Sequence, residues 1–182
     1  MVKDVKYEND YFAVVEIDKF LGVEPQNENV IVVPYTVNNY GIMNKIGVNY
    51  ENNPLRDGGY SYTAVTGDVD DSDSTSFDAA KRELLEETGY DVTDDTKWEY
   101  MGQLTTSKLL KQEQPCYIVN ITDMEPQEKE GDGSDFEANS KFEMVTLNRA
   151  MKFPDAYILS MIMKYFVTKY SKVFNIQQKD LK

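Results

Sequence analysis

The chain has 182 residues, 41% of them hydrophobic and 12% aromatic, which suits one folded domain with a proper core and is short for two. Its formal net charge of −13 disfavours nonspecific nucleic-acid and anionic-membrane binding but still admits a phosphorylated small molecule if a bound cation reverses the charge locally. Histidine is absent and Cys116 is the only cysteine, which excludes His-based triads, phosphohistidine chemistry, His-containing zinc sites and intramolecular disulfides, and leaves carboxylates, hydroxyls, Lys, Arg, Tyr and hard cations.

The start, MVKDVKYEND, is polar and has no apolar stretch of the length a secretory signal needs, so a cytoplasmic, reducing setting is expected. Residues 11–20 (YFAVVEIDKF) and 30–37 (VIVVPYTV) are rich in Val, Ile and aromatics and predict strands, with a loop from Gly22 to Asn29 between them. Asn38-Asn39-Tyr40-Gly41 predicts a turn into a strand over Ile42 to Tyr50. Glu51 to Gly59 predicts a loop, and Tyr60 to Val65 the next strand. An acidic stretch, Asp68 to Asp73, precedes a helix from about Ser76 to Thr88. Ser74, Thr75 and Ser76 offer N-cap hydroxyls and Gly89 a C-terminal stop.

Trp98 to Thr105 and Cys116 to Thr122 predict two more strands, residues 123–141 a charged loop, and Phe142 to Leu147 a late strand. A long helix is expected from Asp155 to about Phe174. Its apolar run, Ala156 to Val167, is interrupted by Ser160 and Lys164 and cannot span a bilayer. This order predicts an α/β (α+β) protein, a mixed β-sheet sandwiched between helices. With no repeat or composition break, residues 1–182 are expected to form a single domain.

The helix from Ser76 carries the densest chemistry. At about 100° per residue, Glu86 and Glu87 lie about 60° and 40° to either side of Glu83, so three carboxylates share one stripe. Such a cluster is self-repelling unless a cation fills it, and carboxylate oxygens are the ligands Mg2+ and Mn2+ prefer. A solvated acidic face is the plainer reading of the glutamates alone. Helical spacing puts Arg82 near Asp78 and Glu86, as an internal ion pair that positions the glutamates or, alternatively, as a phosphate clamp.

The string Arg82-Glu83-Leu84-Leu85-Glu86-Glu87-Thr88-Gly89-Tyr90 resembles the core of the Nudix box of the Nudix hydrolase family. In that family a Gly, five residues, a Glu and seven residues precede the run. Here Gly67 is followed by five residues and Asp73, and eight residues separate Asp73 from Arg82. Counted back from the helix instead, the expected Glu falls on Ser74. The later segments resemble, more weakly, the ADP-ribose and nucleotide-sugar pyrophosphatase branch.

The resemblance implies a Nudix fold and hydrolysis of a nucleoside diphosphate linked to another group, dependent on Mg2+ or Mn2+. It implies Glu83, Glu86 and Glu87 as metal ligands with a backbone carbonyl near Thr66 or Gly67, and Gly67, Asp73 and Gly89 as structural parts of the box. A general base must then be a carboxylate, with Glu137 or one of the box glutamates as candidates. Arg56, Tyr50, Lys108 and Lys111 are candidate substrate contacts. The apolar surplus on the last helix suits a homodimer contact; neither membrane nor nucleic acid is expected as a partner. The same box also serves hydrolases of nucleoside triphosphates or dinucleoside polyphosphates, and Nudix-fold proteins that bind without turnover.

Overall fold

The computed structural model describes residues 3–128 and 140–171. The centre of the molecule is β4 (Asn29–Val37), where Val30, Ile31, Val32 and Val33 are all buried. Successive strand side chains point to opposite faces, so a continuous apolar run marks a strand covered on both sides. Val30 and Val32 face the helix α1 (Ser76–Thr88), with Val65, Ala80 and Leu84; Ile31 and Val33 face the helix α3 (Ala156–Lys169), with Ile158 and Met161. Two apolar clusters thus lie back to back across one sheet.

That sheet has seven strands. Its main path runs β10 (Lys141–Thr146), β5 (Met43–Asn52), β4, β9 (Gln114–Asn120) and β8 (Trp98–Leu104). Among the described residues of this sheet only the β4–β9 pair is parallel. β4 and β5 pair at Tyr35 to Val37 and then separate, and β6 (Tyr60–Thr63) and β7 (Val65–Asp68) fill the gap, β6 against β5 and β7 against β4. This insertion brings Gly67 and Asn49 alongside α1. A short helix α2 (Leu147–Ala150) follows β10, and a single 3-10 turn, Asp95–Lys97, precedes β8.

The amino-terminal region departs from expectation. Residues 11–20 are a hairpin rather than one strand: β2 (Phe12–Ile17) turns through Asp18 and Lys19, at φ 49° and 71°, into β3 (Phe20–Pro25). Two left-handed residues make the tight hairpin turn that Asn-Gly usually announces, and Asp-Lys does not announce it. Part of the expected loop at Gly22 to Asn29 is therefore strand. β1 (Lys3–Glu8), wholly exposed, adds a third antiparallel strand to this separate small sheet. Backbone hydrogen bonds from Val23 N to Leu109 O and from Lys111 N to Val23 O tie it to the loop before β9. Among the described residues no helix is long and apolar enough to cross a membrane.

Candidate active site

α1 spans the residues its sequence predicts because both ends are locally encoded. Thr75 is the N-cap, its hydroxyl accepting from Asp78 N, and Gly89 closes the helix at φ 78° with its N–H on Leu85 O. Ala79, Ala80 and Leu84 are fully buried against the sheet, which directs the glutamate stripe along the edge of β7 and β5.

Arg82 organises that stripe. Its Nη1 donates to Glu83 Oε1 at 2.7 Å and to Glu86 Oε2 at 2.9 Å. Its Nη2 donates to Asp73 Oδ2 at 2.9 Å and to the Asp68 carbonyl at 2.8 Å, and Nε to Asp73 Oδ1 at 3.4 Å. Asp70 lies 3.5 Å away. One guanidinium therefore ties both halves of the box together, in the planar fork geometry that suits Arg. Asp78, expected near Arg82 from helical spacing, instead accepts from the Thr75 hydroxyl. Asp73, not the exposed Ser74, is the residue that meets Arg82, held in a turn by Asp73 N to Asp70 O and Asp70 N to Asp73 Oδ2. The Arg82 hydrogen bonds hold the Asp73 carboxyl below its ordinary range against the opposing effect of burial, and Asp73 in turn raises Arg82.

Glu83 is only 6% exposed. Its carboxylate lies over Gly67: a Cβ there would fall 1.8 Å from Glu83 Cδ. Glycine is required at this position by a close approach, and the approach brings Glu83 onto the backbone of β7, where Thr66 and Gly67 lie. Glu87 accepts from Asn49 Nδ2 on β5. The stripe is thus held by Arg82 at Glu83 and Glu86 and by Asn49 at Glu87. Among the described residues no group of three or more Asp, Glu, His or Cys converges as a ready metal cage, because the carboxylates are turned toward these partners.

The other candidates are dispersed. Tyr50, next to Asn49, points through the opposite face of β5, where its ring stacks on Tyr60 at 5.1 Å and tilts against Tyr62 at 4.8 Å. Arg56 is exposed in the turn between β5 and β6, and its charge acts on Asp155, the N-cap of α3. Lys111 pairs with Glu24 on the small sheet, and Lys108 is exposed in the same loop. None of the four is brought to the glutamates. Gly89 meets the loop after β9, its carbonyl accepting from Gln127 N. Glu137 lies outside the described residues.

One residue at the site was not anticipated: Asn49 carries Glu87. Glu51 lies on the same side of β5, and burial pushes its carboxyl up. The available signal was a polar residue, Asn49, directly after the apolar strand run Ile46-Gly47-Val48 and before Tyr50.

A sheet covered by helices on both faces, with an arginine binding a glutamate stripe to a glycine-bearing strand, defines a Nudix-type hydrolase fold and box. The chain belongs to the NUDIX domain family, whose sequence pattern matches residues 52–164. It is a Nudix pyrophosphohydrolase by class. Three solved structures share the fold. The first is an ADP compounds hydrolase, at TM-score 0.61 and 16% identity, with 94% of this chain and 92% of that chain covered. A mutT/nudix family protein from Listeria innocua has TM-score 0.54 and 16% identity, covering 82% and 98%. The NUDIX domain of Shewanella oneidensis NrtR complexed with ADP ribose has TM-score 0.55 and 15% identity, covering 77% and 86%. No curated protein matches the chain in sequence.

Proposed function

We propose that this Nudix hydrolase is divalent-metal-dependent and cleaves the diphosphate of a nucleoside diphosphate linked to a second group, with ADP-ribose or a nucleotide sugar as the substrate class. The observation that carries this reading is the Arg82 network, which fixes Glu83 and Glu86 on one stripe with Glu87 and against Gly67. The substrate class draws support from the neighbours described as an ADP compounds hydrolase and as an ADP-ribose complex.

The donor set fits a hard cation. It consists of carboxylates that outnumber the one guanidinium, and Gly67 leaves Glu83 room against the β7 backbone. Glu83, Glu86 and Glu87 would hold Mg2+ or Mn2+, with the Thr66 or Gly67 carbonyl as a further ligand. The bound cation supplies charge neutralisation of the diphosphate and activation of water. Arg82 orients two of the glutamates and is not a phosphate clamp, since its donors are already engaged within the box. In the reaction the water oxygen attacks one phosphorus and the bridging P–O bond breaks. Two phosphate monoesters leave, and the water's proton passes to a carboxylate, Glu137 or a box glutamate.

The remaining parts of the proposal are a single domain over residues 1–182, a cytoplasmic setting and a homodimer. Cys116 is buried, and burial pushes its thiol up to about 11. On α3, Ile158, Met161, Ile162 and Tyr165 are used inside the chain, whereas Val5, Tyr7, Tyr11, Phe20 and Leu21 on and beside the small sheet are exposed. The small sheet is the better candidate for a contact between copies.

The test is a panel of nucleoside diphosphate derivatives, triphosphates and dinucleoside polyphosphates, assayed with and without Mg2+. Release of AMP and a sugar phosphate selects this proposal. Release of a nucleoside monophosphate and pyrophosphate selects the triphosphate alternative. Nucleotide binding without turnover on any compound overturns the enzymatic reading.

A further inference from the structure

Asn49 combines two features that the box alone does not explain. It sits in the second half of β5, its Cα paired with Phe142 on β10 and with Thr63 on β6. Backbone pairing on both sides makes this one of the most constrained positions beside α1. Its side chain is 1% exposed, and Nδ2 donates to Glu87 Oε2. Its other polar atom, Oδ1, is buried and has no hydrogen-bond partner among the described residues. The amide cannot be turned over to relieve this, because Oδ1 would then face the carboxylate oxygen of Glu87.

A buried acceptor without a donor carries a desolvation penalty, and such groups ordinarily find a protein or water partner. An amide kept there for packing alone would be better replaced by an apolar side chain of the same shape. The arrangement suits a site completed from outside: one end of the amide orients a carboxylate, and the other awaits a donor.

We propose that Asn49 is a positioning residue for the cation site. Its Nδ2–H fixes the orientation of Glu87, and its Oδ1 accepts from water that enters with the cation. The inference rests on the metal-dependent reading of α1 given above. Groups that orient a metal-binding carboxylate typically carry about 10–100-fold in metal affinity or activity, and Asn49 does so from the sheet while Arg82 does so from within the helix.

The experiment is titration of the full chain with Mn2+ alone, with free Mn2+ followed by electron paramagnetic resonance. Wild type, Asn49→Leu, Asn49→Ala and Glu87→Gln are compared, and thermal unfolding of each is recorded without metal. Asn49→Leu keeps the approximate shape and removes both polar atoms. The expected result is Mn2+ affinity lowered about tenfold or more in both Asn49 variants, with the metal-free unfolding midpoint of Asn49→Leu at or above wild type. On a substrate that turns over, kcat falls while KM changes little.

If both Asn49 variants keep wild-type Mn2+ affinity while Glu87→Gln loses it, Asn49 does not position the site and only this inference falls. If affinity and metal-free stability fall together in both Asn49 variants, the residue is structural and the inference is overturned. If Glu87→Gln also binds Mn2+ as wild type does, the metal-dependent reading itself fails. Should Asn49→Leu not fold, Asn49→Ala decides by the same affinity comparison.

Discussion

The two faces of the seven-stranded sheet are built from the same strands and put to different uses. On the α3 face, Ile31, Val33, Ile46, Val48, Ile118, Ile158 and Met161 form an apolar cluster that continues onto Phe153 and Tyr62. On the α1 face, Val30, Val32, Ala80 and Leu84 pack in the same manner only along part of the interface. Beyond them the face is given over to Arg82, Asp73, Glu83, Glu86, Glu87 and Asn49. Apolar burial is close to proportional to area and indifferent to chemistry, whereas a half-buried charge network costs desolvation and gives geometry in return. Stability should therefore depend most on the α3 face, and turnover on the charged half of the α1 face.

The largest expected effect lies on the charged side. Glu87→Gln and Glu86→Gln should each lower turnover by on the order of a thousandfold, since a cation contributes several kcal/mol of transition-state stabilisation. Their unfolding midpoints should stay close to that of the wild-type protein. Steady-state kinetics alongside urea denaturation checks this, and variants that unfold instead would make the glutamates structural.

On the opposite face the expected pattern inverts. Ile158 is fully buried in the α3 cluster, and Ile158→Ala should cost about 2–5 kcal/mol of stability through lost burial and a residual cavity. Turnover per folded molecule should be unchanged well below the unfolding midpoint. A specific loss of turnover without destabilisation would show that the two faces are not separable in this way.

Gly67→Ala tests where the faces meet. Its Cβ would fall within 2.2 Å of both Glu83 carboxylate oxygens, and the β7 backbone is held by pairing of Gly67 with Val30. Glu83 has to leave or the strand has to shift, at about 1–3 kcal/mol for overpacking. The apparent Mg2+ requirement should rise with the loss of stability. An unchanged Mg2+ dependence would separate Glu83 from the cation.

How much of this was legible in the sequence depended on whether the contact was local. α1 was readable from Ser76 to Thr88 because Thr75, the apolar spacing and Gly89 all act within the helix. The Arg82–Glu86 pair followed from helical spacing, but Asp73 displaced Asp78 as the partner because the turn at Asp70 to Asp73 folds back onto the helix. Asn49 and Tyr50 show the limit most clearly. Strand parity places neighbours on opposite faces, but the sequence does not say which of the two faces meets α1. The aromatic ring was the natural substrate contact, and the less conspicuous amide is the one that reaches the glutamates. The hairpin at Asp18 and Lys19 was illegible for a different reason: Asp tolerates a left-handed conformation, but Lys19 stands where a glycine usually completes such a turn.

The smallest expected effect concerns Asp73, and its sign can be worked out. The Arg82 guanidinium holds the folded-state carboxyl below its ordinary value, which in an unfolded chain is about 3.9. A depressed folded value gives stability that is fully present above the unfolded value and is lost as pH falls through the folded one. Asp73→Asn should therefore cost about 1–2 kcal/mol at neutral pH, less than full removal of the pair because Arg82 keeps Glu83, Glu86 and the Asp68 carbonyl. The difference between wild type and Asp73→Asn should shrink below about pH 4 as the wild-type carboxylate protonates. Urea midpoints measured for both proteins from pH 7 to pH 3 test this. A gap that stays constant over that range would mean that the hydrogen-bond geometry of Asp73, and not its charge, joins the loop to the helix.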